Sequence, residues 1–382
     1  MNGLLALFLS IAIVLALSRK LSIGISLLIG STILSLFTLG SPIYVFKGIF
    51  TYTTLNTLLL VFLSFSLSNC MEKAGLLDRL TSALSSTFGG LSLVLIPLLI
   101  GLLPMPGGAL VSAMMIGKML ENYKIEAEKI TFLNYWYRHV WVVVWPLYPN
   151  VILATAIVEV DYIAYISATV FIALFAFFCG IFAVRGLDIK LNFNFDSMKK
   201  LIFGFYPIIV LLISAALLRL NLLVSLLLAI LSLLLYNPRS ISGFIKAADW
   251  KMLLLIVSVM SYKGVIEAGD VAESFLNDLS FLPTSLLAFS LSFIASFSTG
   301  LEMSYASIAL PLLTTYTGVG DINPENLMLV VLAGYLGVML SPLHLCLILT
   351  AQYFEANLLK TYRYLIPAAF ITALFAILVT VI

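Results

Sequence analysis

Charged residues are scarce in this sequence. They make up 10% of its 382 residues, whereas 62% are hydrophobic, and a soluble globular domain has about 25% charged residues. Apolar windows of roughly 15 to 25 residues recur from end to end, which is the length a membrane-spanning helix needs. The composition excludes a soluble domain, and the windows predict an all-α polytopic membrane protein.

Cysteine and histidine are almost as scarce. Cys70, Cys179 and Cys346 lie in or beside apolar segments without the spacing of a metal site, so neither a disulfide framework nor a zinc motif is predicted. His139 and His344 fall within apolar spans and have no metal-ligand spacing to each other. Each is either a packing residue or a proton relay. No nucleophile–base set, phosphate loop or nucleic-acid patch is found. We therefore expect no metal, no nucleic-acid partner and no cofactor beyond a possible Na⁺.

Helix breakers recur along the chain at an offset of 196 residues. Pro146 falls on Pro342, and the break 104–108 falls on 300–304. Few of these pairs are identities, so the argument rests on the order of breakers between similar apolar blocks. Duplicated halves with interrupted apolar segments at matching positions are typical of secondary transporters.

The apolar blocks divide the chain into residues 1–184, a connector at 185–199, and residues 200–382. Blocks 90–118 and 284–313 are split into arms of about 13 residues, too short to cross ~30 Å of hydrocarbon, and we predict two re-entrant hairpins. The ten predicted spans cover about 3–18, 21–40, 52–71, 130–157, 160–184, 200–218, 220–236, 250–268, 326–352 and 362–382. Five spans per half is an odd number, which predicts two repeats of inverted topology.

The distribution of basic residues predicts the orientation. With these spans, sixteen of the 20 Lys and Arg residues lie on one face, three lie on the other, and Arg138 is inside a span. The basic-rich face is therefore cytoplasmic. We expect a multi-pass plasma-membrane protein with a cytoplasmic connector and both termini outside.

Two spans are predicted to be broken helices. Span 130–157 is interrupted at 145–150 and span 326–352 at 341–344. One interpretation is a pair of proline kinks. The other is a binding site, because non-helical backbone at depth survives only against protein or a water-filled cavity, and helix ends there hold ions and anions. The candidate lining residues at the breaks and the first hairpin tip are Pro106, Gly107, Gly108, Tyr148, Asn150, Ser341 and His344.

The second hairpin tip carries the one acidic residue outside loops and span ends, Glu302. Beside it, the oxygens of Ser298, Thr299 and Gly300 suit Na⁺ ligation. Alternatively, the carboxylate carries a coupling proton, or it only reaches a headgroup or pairs locally.

Arg138 lies inside its span on a predicted helical stripe with Asn134, Trp141 and Trp145. A guanidinium offers fork geometry to a carboxylate, so Arg138 and Asn134 are candidates for binding an anion. The alternative is that Arg138 snorkels to the cytoplasmic face.

The order of elements resembles an uncharacterised integral-membrane family. The resemblance is carried by residues 104–108, Tyr137-Arg138-His139 and residues 145–149. That family is grouped with the ion transporter superfamily of dicarboxylate, citrate, gluconate and arsenite carriers and some Na⁺/H⁺ antiporters. The resemblance implies a homodimer in which transport domains slide as elevators against fixed scaffold domains. Dicarboxylate carriers have a Ser-Asn-Thr signature at both tips, and here only Ser298-Thr299 is present.

The sequence thus predicts a secondary active transporter, and not an enzyme, for a small organic anion coupled to H⁺ or Na⁺, in contact with membrane lipid. A cation/proton antiporter using Glu302 is the first alternative. An intramembrane enzyme acting on a lipid or isoprenoid, with Glu302 and a histidine, is the second.

Overall fold

The protein is helical throughout the described residues, which in this computed structural model are 3–18, 20–105, 107–120, 125–184, 192 and 195–381. The first half contains α1 (Gly3–Leu17), α2 (Ile23–Leu39), α3 (Tyr44–Lys47), α4 (Tyr52–Lys73), α5 (Leu76–Phe88), α6 (Ser92–Ile100), α7 (Gly108–Gly117), α8 (Ala127–Arg138), α9 (Pro149–Val158) and α10 (Tyr162–Cys179). The second half contains α11 (Phe195–Leu212), α12 (Leu222–Tyr236), α13 (Ile241–Ile245), α14 (Trp250–Ala268), α15 (Val271–Asp278), α16 (Thr284–Thr299), α17 (Thr314–Thr317), α18 (Pro324–Leu340), α19 (Leu345–Tyr353) and α20 (Leu358–Val381).

Fewer helices than predicted are long enough to cross a membrane. Among the described residues, six helices pass by length and hydropathy, or seven if α14 and α15, which meet at a bend of 69°, form one span. The six are Tyr52–Lys73, Leu76–Ile100, Tyr162–Val184, Phe195–Leu217, Pro324–Tyr353 and Leu358–Leu378. Predicted spans 3–18, 21–40 and 220–236 are apolar helices of at most 17 residues. The protein is therefore a multi-pass helical membrane protein with a mixture of full-length and short apolar helices.

Helix α5 is not predicted from the sequence. This amphipathic helix carries Asp78 and Arg79, and those charges place it outside the apolar windows used to predict spans. It continues through a 3₁₀ turn at 89–91 into α6, forming a helical stretch of 25 residues, Leu76–Ile100. The stretch that leads into the first hairpin tip is therefore longer than the predicted arm of about 13 residues.

Helix boundaries in the two halves recur at the sequence offset. Pro149 begins α9 and Leu345 begins α19, 196 residues later. The N-terminal amides of α10 and α20 are capped alike. Asp161 accepts from the amide of Ala164 at 2.7 Å, and Asn357 accepts from that of Lys360 at 3.1 Å. The same helix-starting chemistry therefore operates at equivalent positions.

Packing between the halves is reciprocal. Helix α2 packs on α14 while α12 packs on α4, and α10 packs on α18 while α20 packs on α8. A two-fold relation between the halves would produce such exchanged pairs. The inversion of one half relative to the other stays a prediction.

Gly48, the residue that follows α3, packs closely against α14. A Cβ on this residue would collide with the backbone carbonyl oxygen of Met260, and a hydrogen bond from Thr54 Oγ1 to the Gly48 carbonyl, at 2.7 Å, opposes movement of the peptide. We expect Gly48→Ala to lower the apparent melting temperature in detergent, because overpacking costs about 1–3 kcal/mol. Gly269→Ala is the control, since its nearest neighbour is the movable Val271 side chain at 3.2 Å. Equal melting temperatures for the two variants would contradict this prediction.

Candidate functional site

Four irregular segments define the candidate site. The first tip, residues 101–107, joins α6 to α7, and the second tip, residues 300–304, follows α16. The first break, residues 139–148, separates α8 from α9, and the second break, residues 341–344, separates α18 from α19. The position of the second break is that predicted from Ser341-Pro342-Leu343-His344. Pro106 lies outside the described residues.

The first break begins earlier than predicted. Helix α8 ends at Arg138, and a 3₁₀ turn at 140–143 follows, whereas the sequence analysis placed the interruption at 145–150. The His139 ring explains the difference. Its Nδ1 lies 2.6 Å from the carbonyl oxygen of Tyr135, which would otherwise accept from the His139 amide, and that amide donates to Trp136 instead. The side chain thus competes with the helix for its own i−4 carbonyl.

The residues on either side of this break therefore take places that differ from the prediction. Trp141 and Trp145 lie beyond the end of α8, so they do not continue a helical stripe with Arg138. Pro149 is the first residue of α9, where its missing N–H costs no hydrogen bond. Asn150 lies in the first turn of α9 and not in the break.

Arg138 is buried at the first tip and forms no direct ion pair among the described residues. Its side chain is 3% exposed, and the guanidinium lies over Gly108 so closely that a Cβ there would collide with Nη2. None of the ion pairs among the described residues, taken to 4.0 Å, includes Arg138, and its Nε has no hydrogen-bond partner. The guanidinium is thus enclosed by protein.

Tyr148 and Gly107 complete the surroundings of Arg138. The Tyr148 ring lies beside the guanidinium, and its hydroxyl donates to the carbonyl of Gly101 at 2.7 Å. Gly107 has a φ of 71°, the left-handed conformation that glycine adopts without strain, and α7 begins at the next residue. A buried cation and the positive end of a helix therefore meet at the first tip.

Asn134 connects the elements around this tip. Its Oδ1 accepts from Ser112 Oγ at 2.7 Å, and its Nδ2 donates to the Ala109 carbonyl at 3.0 Å and to Thr350 Oγ1 at 3.1 Å. These bonds fix α7 and α19 to α8. Asn134 is therefore placed to position the site through these three helices.

The second tip is attached to the second break. Gly300, with a φ of 66°, approaches the backbone of Leu343 so closely that a Cβ would lie 2.7 Å from its carbonyl carbon. Ser341 Oγ donates to the Phe297 carbonyl at 2.6 Å, and His344 Nδ1 lies 2.6 Å from the Gly300 carbonyl oxygen. The predicted lining residues Ser341 and His344 thus hold the tip against the break.

The hydroxyls at the second tip are also hydrogen-bonded. Ser298 donates to the Ile294 carbonyl at 2.7 Å, and Thr299 donates to that of Ala295 at 2.8 Å. Since the Gly300 carbonyl is taken by His344, the three predicted Na⁺ ligands already have partners within the protein.

Glu302 and the two histidines bring three of the four segments together. His139 Nε2 lies 3.1 Å from Glu302 Oε1 and 3.2 Å from His344 Nε2. Both histidines are buried, and a fifth of the Glu302 side chain is exposed. The two histidines have no metal-ligand spacing in the sequence, but they are in contact in the fold. A separation of 205 residues hides this contact from sequence analysis. His139 was not among the predicted site residues, and its place at a helix break is the signal that could have identified it.

Asn150 connects α9 to the helical turn Tyr305–Ala309, which follows the second tip. Its Nδ2 donates to the Val142 carbonyl at 2.8 Å and lies 3.4 Å from the Tyr305 hydroxyl, which is 3.1 Å from that of Tyr165. Its Oδ1 is buried without a hydrogen-bond partner. One acceptor near the site thus remains unused.

The helical spans, the paired tips and the broken helices define a multi-pass membrane protein with the fold of a known transporter. The YdaH transporter of Alcanivorax borkumensis, whose structure is described as having an unusual topology, superimposes with a TM-score of 0.58 at 13% identity, over 88% of this chain and 86% of that chain. The family described as protein of unknown function (DUF401) matches residues 1–382, and this chain belongs to it. No curated protein matches the sequence significantly.

Proposed function

We propose that the protein is a secondary active transporter of a small organic anion, with Arg138 binding the anion's negative charge. The observation that carries this proposal is the buried guanidinium at the first tip, which has no acidic group within 4.0 Å among the described residues. An unpaired buried charge costs several kcal/mol. A carboxylate bound between Arg138 and the start of α7 would offset that cost.

The other predicted residues take supporting roles in this proposal. Gly107 lets the anion approach the backbone, Gly108 makes room for the guanidinium, and Tyr148 orients it. Asn134 fixes the surrounding helices, and Asn150 fixes the start of α9 through its hydrogen bond to the Val142 carbonyl.

The coupling cation, H⁺ or Na⁺, is assigned to Glu302. This carboxylate contacts His139, the residue next to Arg138, so a cation bound there would lower the repulsion between Glu302 and an anion that enters the site. A hydroxyl that donates a hydrogen bond and a carbonyl that accepts one each keep a lone pair, so Ser298, Thr299 and Gly300 remain candidate Na⁺ ligands beside this carboxylate.

Alternating access would follow from two inverted halves whose tips and breaks meet between them. The exchanged packing of α2 on α14 and of α12 on α4 supports this arrangement. The proposal retains elevator movement in a homodimer, a plasma-membrane location, a cytoplasmic connector and external termini.

Ligand-dependent thermal stability tests the anion site. Purified protein is heated in detergent with a series of mono-, di- and tricarboxylates, with and without Na⁺, at several pH values. A ligand that binds the folded state stabilises it by about 2.7 kcal/mol at 100 times its Kd. We expect a saturable rise in melting temperature with at least one carboxylate and none with a neutral amide of the same shape. Equal effects of acid and amide would contradict the assignment of Arg138.

The contact between Glu302 and His139 also favours a second candidate, a cation/proton antiporter. Cation uptake driven by an imposed pH gradient, with no permeable anion present, would support it. Anion uptake under the same gradient supports the first proposal.

A further inference from the structure

The Nδ1 atoms of both buried histidines have fixed roles in hydrogen bonding. His139 Nδ1 and His344 Nδ1 each lie 2.6 Å from a backbone carbonyl oxygen, of Tyr135 and Gly300 respectively. A carbonyl oxygen can only accept, so both Nδ1 atoms carry hydrogen. When the rings are neutral, both Nε2 atoms therefore have a free lone pair and no hydrogen.

These bare nitrogens point at one another. The two Nε2 atoms are 3.2 Å apart, and Glu302 Oε1 lies 3.1 Å from that of His139. The Cys346 sulfur belongs to the same group, because the ligand atoms of His139, His344 and Cys346 all lie within 4.8 Å of one another. Several lone pairs that meet inside a membrane protein repel one another unless a proton or a metal ion lies between them.

We propose that this cluster is a binding site for a late first-row divalent metal ion of the Zn²⁺ class, ligated by His139 Nε2, His344 Nε2 and Cys346 Sγ. Metal–nitrogen bonds of 2.0–2.1 Å at the tetrahedral angle separate two ligand nitrogens by about 3.3 Å, close to the 3.2 Å between the two imidazoles.

The donor set and its surroundings favour such an ion. Imidazole and thiolate select Zn²⁺, Co²⁺ and similar metals, whereas Na⁺, Mg²⁺ and Ca²⁺ prefer oxygen. Metal-ligating histidines almost always donate the other ring nitrogen to a carbonyl or carboxylate, which fixes ring orientation, and both histidines here do so. The site joins the first break, the second break and α19, so a bound metal would fix these elements together.

Co²⁺ replacement tests the site on the full-length protein in detergent. His139 and His344 are the only histidines of the chain, so any affinity tag is removed first. We expect one Co²⁺ per chain, with the visible bands of tetrahedral cobalt and a thiolate-to-cobalt charge-transfer band that Zn²⁺ abolishes. Cys346→Ser removes the charge-transfer band. His344→Gln weakens binding by at least about 100-fold, since losing a ligand costs more than losing an outer partner.

Cys179→Ser is the control, because Cys179 is also a free cysteine but lies outside the cluster, and the stoichiometry and spectrum of this variant should equal those of the wild type. X-ray absorption of the Zn²⁺-loaded wild type needs no variant and should give two nitrogen neighbours and one sulfur. Absence of saturable Co²⁺ binding, or a charge-transfer band that survives Cys346→Ser, overturns the proposal. The anion site does not depend on this metal, so carboxylate-dependent stabilisation can persist when metal binding fails.

Discussion

Replacing Arg138 by methionine should abolish anion-dependent transport. Methionine preserves most of the side-chain volume but removes the positive charge and the fork of donors. A hydrogen bond to a charged group contributes about 1.5–3 kcal/mol, so two such bonds correspond to a loss of at least about 100-fold in anion affinity. Uptake of the carboxylate identified by thermal stability, measured in proteoliposomes, should fall to the level of empty vesicles.

The stability of the same variant separates binding from structure. Arg138 has no ion pair within 4.0 Å among the described residues, so its removal relieves an unpaired buried charge. Without ligand, Arg138→Met should melt at the wild-type temperature or above it, while losing the carboxylate-dependent rise. Arg138→Lys should recover part of the affinity, because the charge returns without the planar fork. The exposed Arg239→Ala serves as the control. A less stable Arg138→Met variant that still transports the anion would contradict the proposed role.

Replacing Glu302 by glutamine should separate transport from its driving force. Glutamine preserves the shape and a hydrogen bond to His139, but it can neither bind a proton in the relevant range nor attract Na⁺. One coupled proton accumulates a solute about tenfold per unit of pH gradient. We expect this accumulation to disappear in Glu302→Gln while exchange of internal for external anion continues.

A matched acid controls for loss of charge alone. Glu325→Gln changes an acid in the first turn of α18, away from the two tips, and should retain gradient-driven accumulation. Repeating the measurement with a Na⁺ gradient at constant pH identifies the coupling ion. Full accumulation by Glu302→Gln under both gradients would assign coupling to another group.

The sequence predicts those parts of the fold that depend on local chemistry. Ser341-Pro342-Leu343-His344 predicts the second break because proline and its neighbours act on their own backbone. The prediction for the first break is wrong because the two prolines of 145–150 indicate an interruption there. The helix instead ends where the His139 ring hydrogen-bonds to the Tyr135 carbonyl. That competition depends on a side-chain rotamer and not on a helix-breaking residue type.

The candidate site is predictable in part for the same reason. Arg138 and Glu302 stand out in sequence because charge inside an apolar segment is costly wherever it lies. The contact of His139 with His344 depends on how two breaks 205 residues apart are packed together. Ser298 and Thr299 donate to helix carbonyls, and their role as Na⁺ ligands stays a prediction.

Counterflow in proteoliposomes tests the central claim most directly. Vesicles are loaded with a high concentration of the unlabelled carboxylate and diluted into a trace of the labelled compound, with no ion gradient. A transporter that exposes Arg138 alternately to each side should accumulate the label transiently above its external concentration, and Arg138→Met should not. A wild-type protein that only equilibrates the label, or converts it chemically without accumulating it, would contradict the account.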